Sequence, residues 1–224
     1  FSTPHGGGGP GSGPVMVCEK LVDYLPEPHV VMTDPGDEET PPTYAFARPE
    51  KTIGRVKAFH GHFGMLVRAF TYIAMLGQEG LRDVAEKAVL NANYLQAKLK
   101  GTYTLPYKRS CMHEFVLEGF WKDVPDIHAL DIAKRLMDYD FHPPTNYFPL
   151  IVHEALMIEP TESESVETLD SFVDAMLKIA EEARTQPELL HDAPHHTPVR
   201  RCDELKAAKD LVFCCYPVGE WEKK

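Results

Sequence analysis

No apolar run in this 224-residue sequence approaches the roughly 20 residues that a membrane-spanning helix requires. Basic residues are also scarce, because 23 Lys and Arg stand against 34 Asp and Glu and leave a net charge of −11. An acidic surface of this kind repels a phosphate backbone. We therefore expect neither a membrane protein nor a nucleic-acid-binding protein.

Metal and disulfide patterns are absent as well. The five cysteines are odd in number and follow no zinc-ligand spacing, which predicts reduced thiols in a cytoplasmic protein. A redox role for the adjacent Cys214 and Cys215 is the open alternative. His195-His196 has no acidic or cysteine partner at suitable spacing, so we expect no metal site. Phe1 is preceded by neither an initiator Met nor a signal-peptide pattern, and we interpret the sequence as part of a longer protein.

Hydrophobic periodicity predicts a small sheet with helices on one face. Apolar residues recur at helical spacing over 65–76, 81–99, 127–137 and 166–180, with a break at Gly77 and caps at Asp126 and Ser165. Strand-like runs cover 112–117 and 155–158 and occur as short pieces within 15–32. The proline-rich residues 33–52 predict a surface loop, and residues after Pro187 predict an extended tail with a short helix at 203–209.

The opening residues 1–14, FSTPHGGGGPGSGP, are rich in glycine and predict neither helix nor ordinary strand. Clustered glycines let the backbone approach a ligand closely and point N–H groups at an anion. Because a His and prolines interrupt the glycines, we favour a ligand-lining loop over a flexible linker. The pattern lacks the Lys-Ser/Thr ending of a P-loop and the glycine spacing of a dinucleotide site.

Two further loops carry polar groups. Residues 59–64, FHGHFG, precede a predicted helix whose N-terminus suits a phosphate, although a turn with surface histidines has the same pattern. Residues 140–149, DFHPPTNYFP, combine His, Thr, Asn and Tyr in a rigid loop that suits a small polar substrate, or form an ordinary connection. For 159–164, EPTESE, we favour helix capping, and Arg200-Arg201 is either an anion clamp or an exposed basic turn.

Together these segments resemble the P-protein family of the glycine cleavage system. The likeness is carried by residues 1–14, 90–94, 113–115, 141–145 and 159–164, and it runs nearly end to end. The tail 193–201 resembles the bacterial two-subunit form, whose second subunit carries the cofactor lysine.

The resemblance implies an α/β fold, that of the fold type I pyridoxal-phosphate transferases. Residues 1–76 are then the C-terminal remainder of the large cofactor-binding domain, and residues 77–224 are the small C-terminal domain with its tail. The implied activity is the release of CO₂ from glycine, with pyridoxal 5'-phosphate as electron sink. The aminomethyl group then passes to the lipoyl arm of the H-protein. P-protein subunit 1, in a cytoplasmic heterotetramer, is the implied partner.

The resemblance also implies site residues. The segment that follows the family's lysine lines the cofactor pocket, and here it comprises His5, Gly6, Gly7 and Gly8. Gly61 and His62 match a Gly-Thr-like turn that, in related enzymes, reaches the cofactor phosphate of the neighbouring subunit. The loop at the substrate-carboxylate position offers His142, Thr145 and Tyr147. Asp140 stands where relatives usually have Gly, and Asp tolerates the left-handed conformation that a helix cap needs.

The family's lysine corresponds to a position upstream of Phe1. We therefore predict no catalytic residue in these 224 residues and no activity of the chain alone, with exposed surface that favours association. Another fold type I enzyme, such as an aminotransferase or amino-acid decarboxylase, is one alternative, which the Gly-rich and His-Pro-Pro-Thr segments disfavour. A non-catalytic module that binds a carrier protein is the other.

Overall fold

The computed structural model describes residues 1, 3 and 9–211 of the chain. The chain separates into two compact units, divided between Leu81 and Arg82. The assignment of residues 1–76 and 77–224 to the large and small domains of a pyridoxal-phosphate enzyme stays a prediction.

The first unit contains a two-stranded antiparallel hairpin. A 3-10 helix, Glu19–Tyr24, precedes strands β1 (His29–Asp34) and β2 (Thr43–Ala47). The prediction of a loop across 33–52 is wrong for β2. From Tyr44 onward its sequence alternates aromatic residues with alanine, and Val30 pairs with Phe46.

Helix α1 (Phe63–Leu99) is interrupted at Gly77, where φ is 63° and ψ is −173°. This backbone region is essentially restricted to glycine, so the predicted break at Gly77 is confirmed. No described residue up to Leu81 is buried.

The second unit contains a three-stranded antiparallel sheet. Its strands are β3 (Phe115–Glu118), β4 (Thr145–Asn146) and β5 (Ala155–Ile158), in the order β3-β5-β4. Strands β3 and β5 lie where the pattern predicted them. Strand β4 was missed because two residues after a Pro-Pro pair are too few to show an alternation.

The described part of this unit also contains the end of α1 and the helices α2 (Ala129–Met137), α3 (Val166–Thr185), α4 (Glu188–His191) and α5 (Glu204–Lys209). The Ser165 hydroxyl accepts a hydrogen bond from the Thr168 N–H at 3.2 Å, which confirms the predicted cap of α3. One core joins α1, the sheet and helices α2 to α4. Its fully buried residues include Leu95, Leu99, Leu117, Ile132, Leu136, Leu156, Met176, Ile179 and Leu190.

Of the two caps that the sequence predicted for α2, the N-terminal one is wrong and the C-terminal one is confirmed. The predicted cap at Asp126 is wrong, because Ile127 turns into the core and the Asp131 carboxylate accepts from the His128 N–H at 2.9 Å instead. At the other end Asp140 adopts a φ of 61°. The Phe141 N–H donates to the Leu136 carbonyl at 3.2 Å, closing a Schellman motif that confirms the predicted cap.

A charged network joins α2 to α3. The Arg135 guanidinium donates to both oxygens of Glu182, at 2.9 and 3.0 Å, and to Asp138 at 3.0 Å. The Tyr139 hydroxyl donates to Glu182 at 2.7 Å. Burial pushes the pKa of the Glu182 carboxyl upward, but the hydrogen bonds from Arg135 and Tyr139 outweigh it and leave that pKa below its usual value.

The segment after α4 is anchored on α2, so the prediction of an extended tail is wrong for residues 193–201. Backbone N–H groups of His195 and His196 donate to the Asp138 carboxylate at 2.5 and 3.0 Å. The Arg201 guanidinium donates to Asp131 at 2.7 Å. Both carboxylates are buried, and the segment supplies the donors that buried carboxylates require.

Candidate functional site

A cavity of about 440 Å³ lies within the second unit. It opens between α1, the loop after α2, strands β4 and β5, and the first half of α3. Its lining comprises Leu95, Phe141, His142, Pro143, Pro144, Thr145, Met157, Ile158, Glu159, Pro160, Thr161, Glu164, Thr168, Leu169 and Phe172.

Two predicted substrate residues, His142 and Thr145, both line this cavity. The left-handed Asp140 turns the chain out of α2, and Pro143-Pro144 then carries it without helix into β4. There Thr145 pairs with Met157 of β5. The two predicted residues are therefore positioned by a capped helix end and a strand pairing.

The third candidate, Tyr147, is not among the residues that line the cavity. Its φ is 67°, and its N–H donates to the Ala155 carbonyl at 2.8 Å. Burial raises the pKa of the Tyr147 hydroxyl, and the negative charges of Glu154 and Asp131 add to this rise. The structure thus separates Tyr147 from His142 and Thr145.

The cavity combines an apolar floor with a polar rim. Phe141 and Phe172 meet edge to face, with ring centroids 5.3 Å apart, beside the buried Leu169. Glu159 and Glu164 line the rim, and no Lys or Arg among the described residues does. Among the described residues that line the cavity, His142 is the one with a side-chain nitrogen. Binding of a substrate carboxylate by His142 and Thr145 stays a prediction, since the acids oppose it.

Sequence reasoning missed the contribution of residues 159–161, which it interpreted as helix capping. Capping is the role of Ser165, while Glu159, Pro160 and Thr161 line the cavity. The Thr161 carbonyl accepts from the Asn91 side chain at 2.9 Å, which ties the segment to α1. The available signal for this cavity role was that residues 159–161 directly follow the buried strand β5.

The turn at Gly61-His62 in the first unit precedes α1. Gly61 has a φ of 106° and open space where a side chain would stand. The His62 carbonyl accepts from the N–H groups of Met65 and Leu66, and its ring packs on Phe59 at 4.9 Å. The first turn of α1 contains no acid. A glycine turn at an acid-free helix start suits a phosphate group, and the predicted cofactor role of Gly61 and His62 stays a prediction.

Several predictions fall on other parts of the chain. His5, Gly6, Gly7 and Gly8 lie outside the described residues, as do Cys214 and Cys215. Cys18, Cys111 and Cys202 are free thiols. Within the described ranges, no group of three or more His, Cys, Asp or Glu is placed to hold a metal, and no helix is long and apolar enough to cross a membrane.

The predicted basic pair of the tail has a structural role. Arg201 pairs with Asp131, and Arg200 donates to the carbonyls of Asp192 and Pro194 at 2.6 and 3.3 Å. These contacts fix the anchored segment 193–201 rather than leaving a free anion clamp. The predicted clamp is confirmed in part, because Arg201 holds a carboxylate, but that carboxylate belongs to Asp131 of the same chain.

Comparison with known proteins identifies the family. Residues 84–197 match the family described as "Glycine dehydrogenase, C-terminal domain". The chain belongs to this family. Its predicted membership is thereby confirmed over just the region that forms the sheet, the cavity and helices α2 to α4.

Curated relatives extend the match to the whole chain. It is 58% identical over 224 residues to probable glycine dehydrogenase (decarboxylating) subunit 2 of Alkaliphilus oremlandii, covering 100% of the chain and 43% of that protein. It is 54% identical over 225 residues to the protein of the same name from Caldanaerobacter subterraneus, covering 100% of the chain and 44% of that protein. The chain thus spans less than half the length of these relatives.

A solved structure supports the fold. The chain is similar to the crystal structure of glycine decarboxylase (P-protein) of the glycine cleavage system in inhibitor-bound form, with a TM-score of 0.58 and 22% identity. The match covers 72% of this chain and 37% of that protein. The predicted α/β fold of this family is confirmed.

Proposed function

We propose that this chain supplies the C-terminal part of a glycine decarboxylase that releases CO₂ from glycine and passes the aminomethyl group to a lipoylated H-protein. The observation that carries the proposal is the 58% identity to a glycine dehydrogenase subunit 2 along the full 224 residues. We also propose that the protein works with P-protein subunit 1 in a cytoplasmic heterotetramer.

Pyridoxal phosphate is the proposed cofactor. When bound, it supplies an electron sink that stabilises the charge left as the carboxylate departs. The turn at Gly61-His62 would hold its phosphate, because the helix start offers N–H groups and no competing acid. His5, Gly6, Gly7 and Gly8 are proposed to line the same pocket.

His142 and Thr145 are proposed to orient the substrate. Each offers a hydrogen-bond donor on the cavity rim, next to Pro143, Pro144 and the apolar floor. The carboxylates of Glu159 and Glu164 on the rim would attract the ammonium group of an incoming glycine. Tyr147 does not line this cavity, and its predicted contact with the substrate stays part of the proposal.

A chimaera tests the proposal. In the Alkaliphilus oremlandii subunit 2, the matching 43% would be replaced by this chain and the product combined with its subunit 1 and lipoylated H-protein. We expect glycine-dependent CO₂ release, whereas the 224 residues alone release none. A folded chimaera that releases no CO₂ from glycine would contradict the proposal, and activity on another amino acid would favour a different fold type I enzyme.

Within that chimaera, Thr145→Val tests the substrate role. Loss of one hydrogen bond to a charged group should raise KM for glycine about tenfold. Thr168→Val, on the opposite wall of the cavity, is the control and should leave KM unchanged. Equal KM values in both variants would remove Thr145 from the substrate site without affecting the proposed activity.

A further inference from the structure

A second groove, of about 800 Å³, lies where α1 and α3 end. It shares no lining residue with the cavity described above. We call it the basic groove, and its charged residues are Lys100, Lys108, Arg109 and Arg184. It plays no part in the proposed decarboxylation.

The sequence segment that supplies most of the groove's cations is basic, whereas the chain as a whole is acidic. Residues 87–113 contain five Lys or Arg and no Asp or Glu, although acids outnumber bases by 34 to 23 in the sequence as a whole. The five are Lys87, Lys98, Lys100, Lys108 and Arg109. The fold gathers the last three of them around one groove.

Three of the four cations of the basic groove lack an ion-pair partner among the described residues. Arg184 pairs with Asp123 at 2.7 Å and donates to the Ala180 carbonyl at 2.6 Å. Lys100, Lys108 and Arg109 are exposed and make no ion pair within the described part of the chain. Their charges are therefore available to another molecule.

The loop that carries the cations is fixed to the core. Gly101 has a φ of 102°, and the Trp121 indole N–H donates to the Thr102 carbonyl at 2.9 Å. The buried Tyr103 hydroxyl donates to the Met176 carbonyl at 2.8 Å. Arg184 lies over the Trp121 ring at 5.2 Å. Because this loop is already ordered, binding a partner would cost little of the loop's conformational entropy.

Charge and geometry narrow the choice of partner. Phosphate sites use converging backbone N–H groups at helix N-termini, whereas α1 and α3 present C-termini, whose partial charge is negative. A net charge of −11 opposes a nucleic acid and also a second copy of the chain. Carboxylates on flexible side chains reach exposed cations without approaching the helix ends.

We propose that the basic groove is a docking surface for an acidic segment of a partner protein. Glu or Asp side chains of that segment pair with Lys100, Lys108 and Arg109, and its backbone lies beside Leu105. Exposed ion pairs are individually weak, so several are needed to give measurable affinity.

The test uses the 224-residue chain and a fluorescein-labelled glutamate-rich peptide, with binding followed by fluorescence anisotropy. We expect binding that weakens as salt is raised to about 0.15 M. Joint replacement Lys100→Glu, Lys108→Glu and Arg109→Glu should weaken it about tenfold or more. The control is Lys20→Glu, Lys57→Glu and Lys206→Glu, which makes the same change in net charge on exposed residues outside the groove. Thermal unfolding monitors folding of both variants.

Four outcomes would overturn the proposal. The peptide fails to bind, or both triple variants weaken it equally, which would be an effect of net charge alone. Inorganic triphosphate binds at least as tightly and displaces the peptide, which would indicate a small-anion site. Sedimentation shows self-association that the groove variant abolishes, which would make the occupant a second copy.

Discussion

Asp140 ends helix α2 in a conformation that glycine adopts more easily. Its φ of 61° places it in the left-handed region, and the cap hydrogen bonds of Asp140 and Phe141 both depend on that conformation. A side chain there costs energy that glycine avoids, although Asp costs less than most residues. Asp140→Gly should raise the free energy of unfolding by about 1 kcal/mol, measured by urea denaturation.

Two substitutions control this prediction. Asp140→Val should lower the urea midpoint, because a β-branched residue is strained at positive φ. Asp126→Gly, in a nearby turn without positive φ, should give no gain. A midpoint for Asp140→Gly at or below the starting value would show that the Asp side chain makes a contribution larger than its strain.

At the residue scale, the sequence predicted what depends on local chemistry and missed what depends on distant partners. The Asp140 cap and the Ser165 cap involve neighbours within a few residues, so their signals were visible. Asp131 and Asp138 were not singled out, because their partners Arg201 and His195 lie 70 and 57 residues away.

At the element scale, Glu182 is the residue through which α3 holds α2. Its side chain is 7% exposed and receives hydrogen bonds from Arg135 and Tyr139. Removing it leaves the guanidinium of Arg135 without its main partner in a largely buried position. Glu182→Ala should lower the free energy of unfolding by about 3 kcal/mol at neutral pH.

The neighbouring Glu181 is exposed and provides the matched control. Glu181→Ala should change the free energy of unfolding by less than about 0.5 kcal/mol. Similar losses in the two variants would mean that helix propensity at this turn, and not the charged network, determines stability.

The network also predicts a pH dependence. The pKa values of Glu182 and Asp138 are lower in the folded chain than in the unfolded chain, because hydrogen bonds outweigh the effect of burial. Their contribution is therefore present above the unfolded values of about 4 and is lost as pH falls through the folded values. Between about pH 5 and pH 3, Glu182→Gln should show a shallower loss of stability than the unaltered chain in thermal unfolding. An equal slope would contradict this assignment.

The elements themselves were largely predictable. Helical periodicity located both parts of α1, all of α2 and all but the end of α3. The apolar stripes of α2, α3 and the end of α1 face one core. Strand β2 was missed because prolines on both sides outweighed its own alternation. The two-residue β4 exists only through its pairing with Met157 and Leu156, which no local pattern encodes.

At the scale of the whole molecule, the two units differ in how much they bury. Every buried apolar residue of the described chain lies between Ala92 and Pro194. The first unit exposes large apolar side chains, among them Phe46, Phe63, Phe70 and Met75. Apolar surface of this extent is typical of regions that contact other protein.

This contrast predicts uneven protection against hydrogen exchange. Amides of the hairpin and of α1 up to Leu76 should exchange far faster than those of β3, β5 and α3, because few buried contacts oppose local opening. Mass spectrometry of the 224-residue chain measures this, and the active chimaera should show new protection in the first unit. Equal protection of the two units in the chain alone would contradict the prediction.

The contacts of Arg201 with Asp131 and of His195 with Asp138 have a consequence for synthesis. A ribosome completes α2 dozens of residues before it adds the donors that α2 needs, since Arg201 follows Asp131 by 70 residues. Until then Asp131 and Asp138 have only the donors that lie on or beside α2, the His128 N–H and the Arg135 guanidinium, so their burial costs more free energy than in the finished chain. The anchored segment 193–201 is thus made last and completes the hydrogen bonding of α2. A stop codon ahead of residue 195 should therefore yield a less stable chain that proteases degrade.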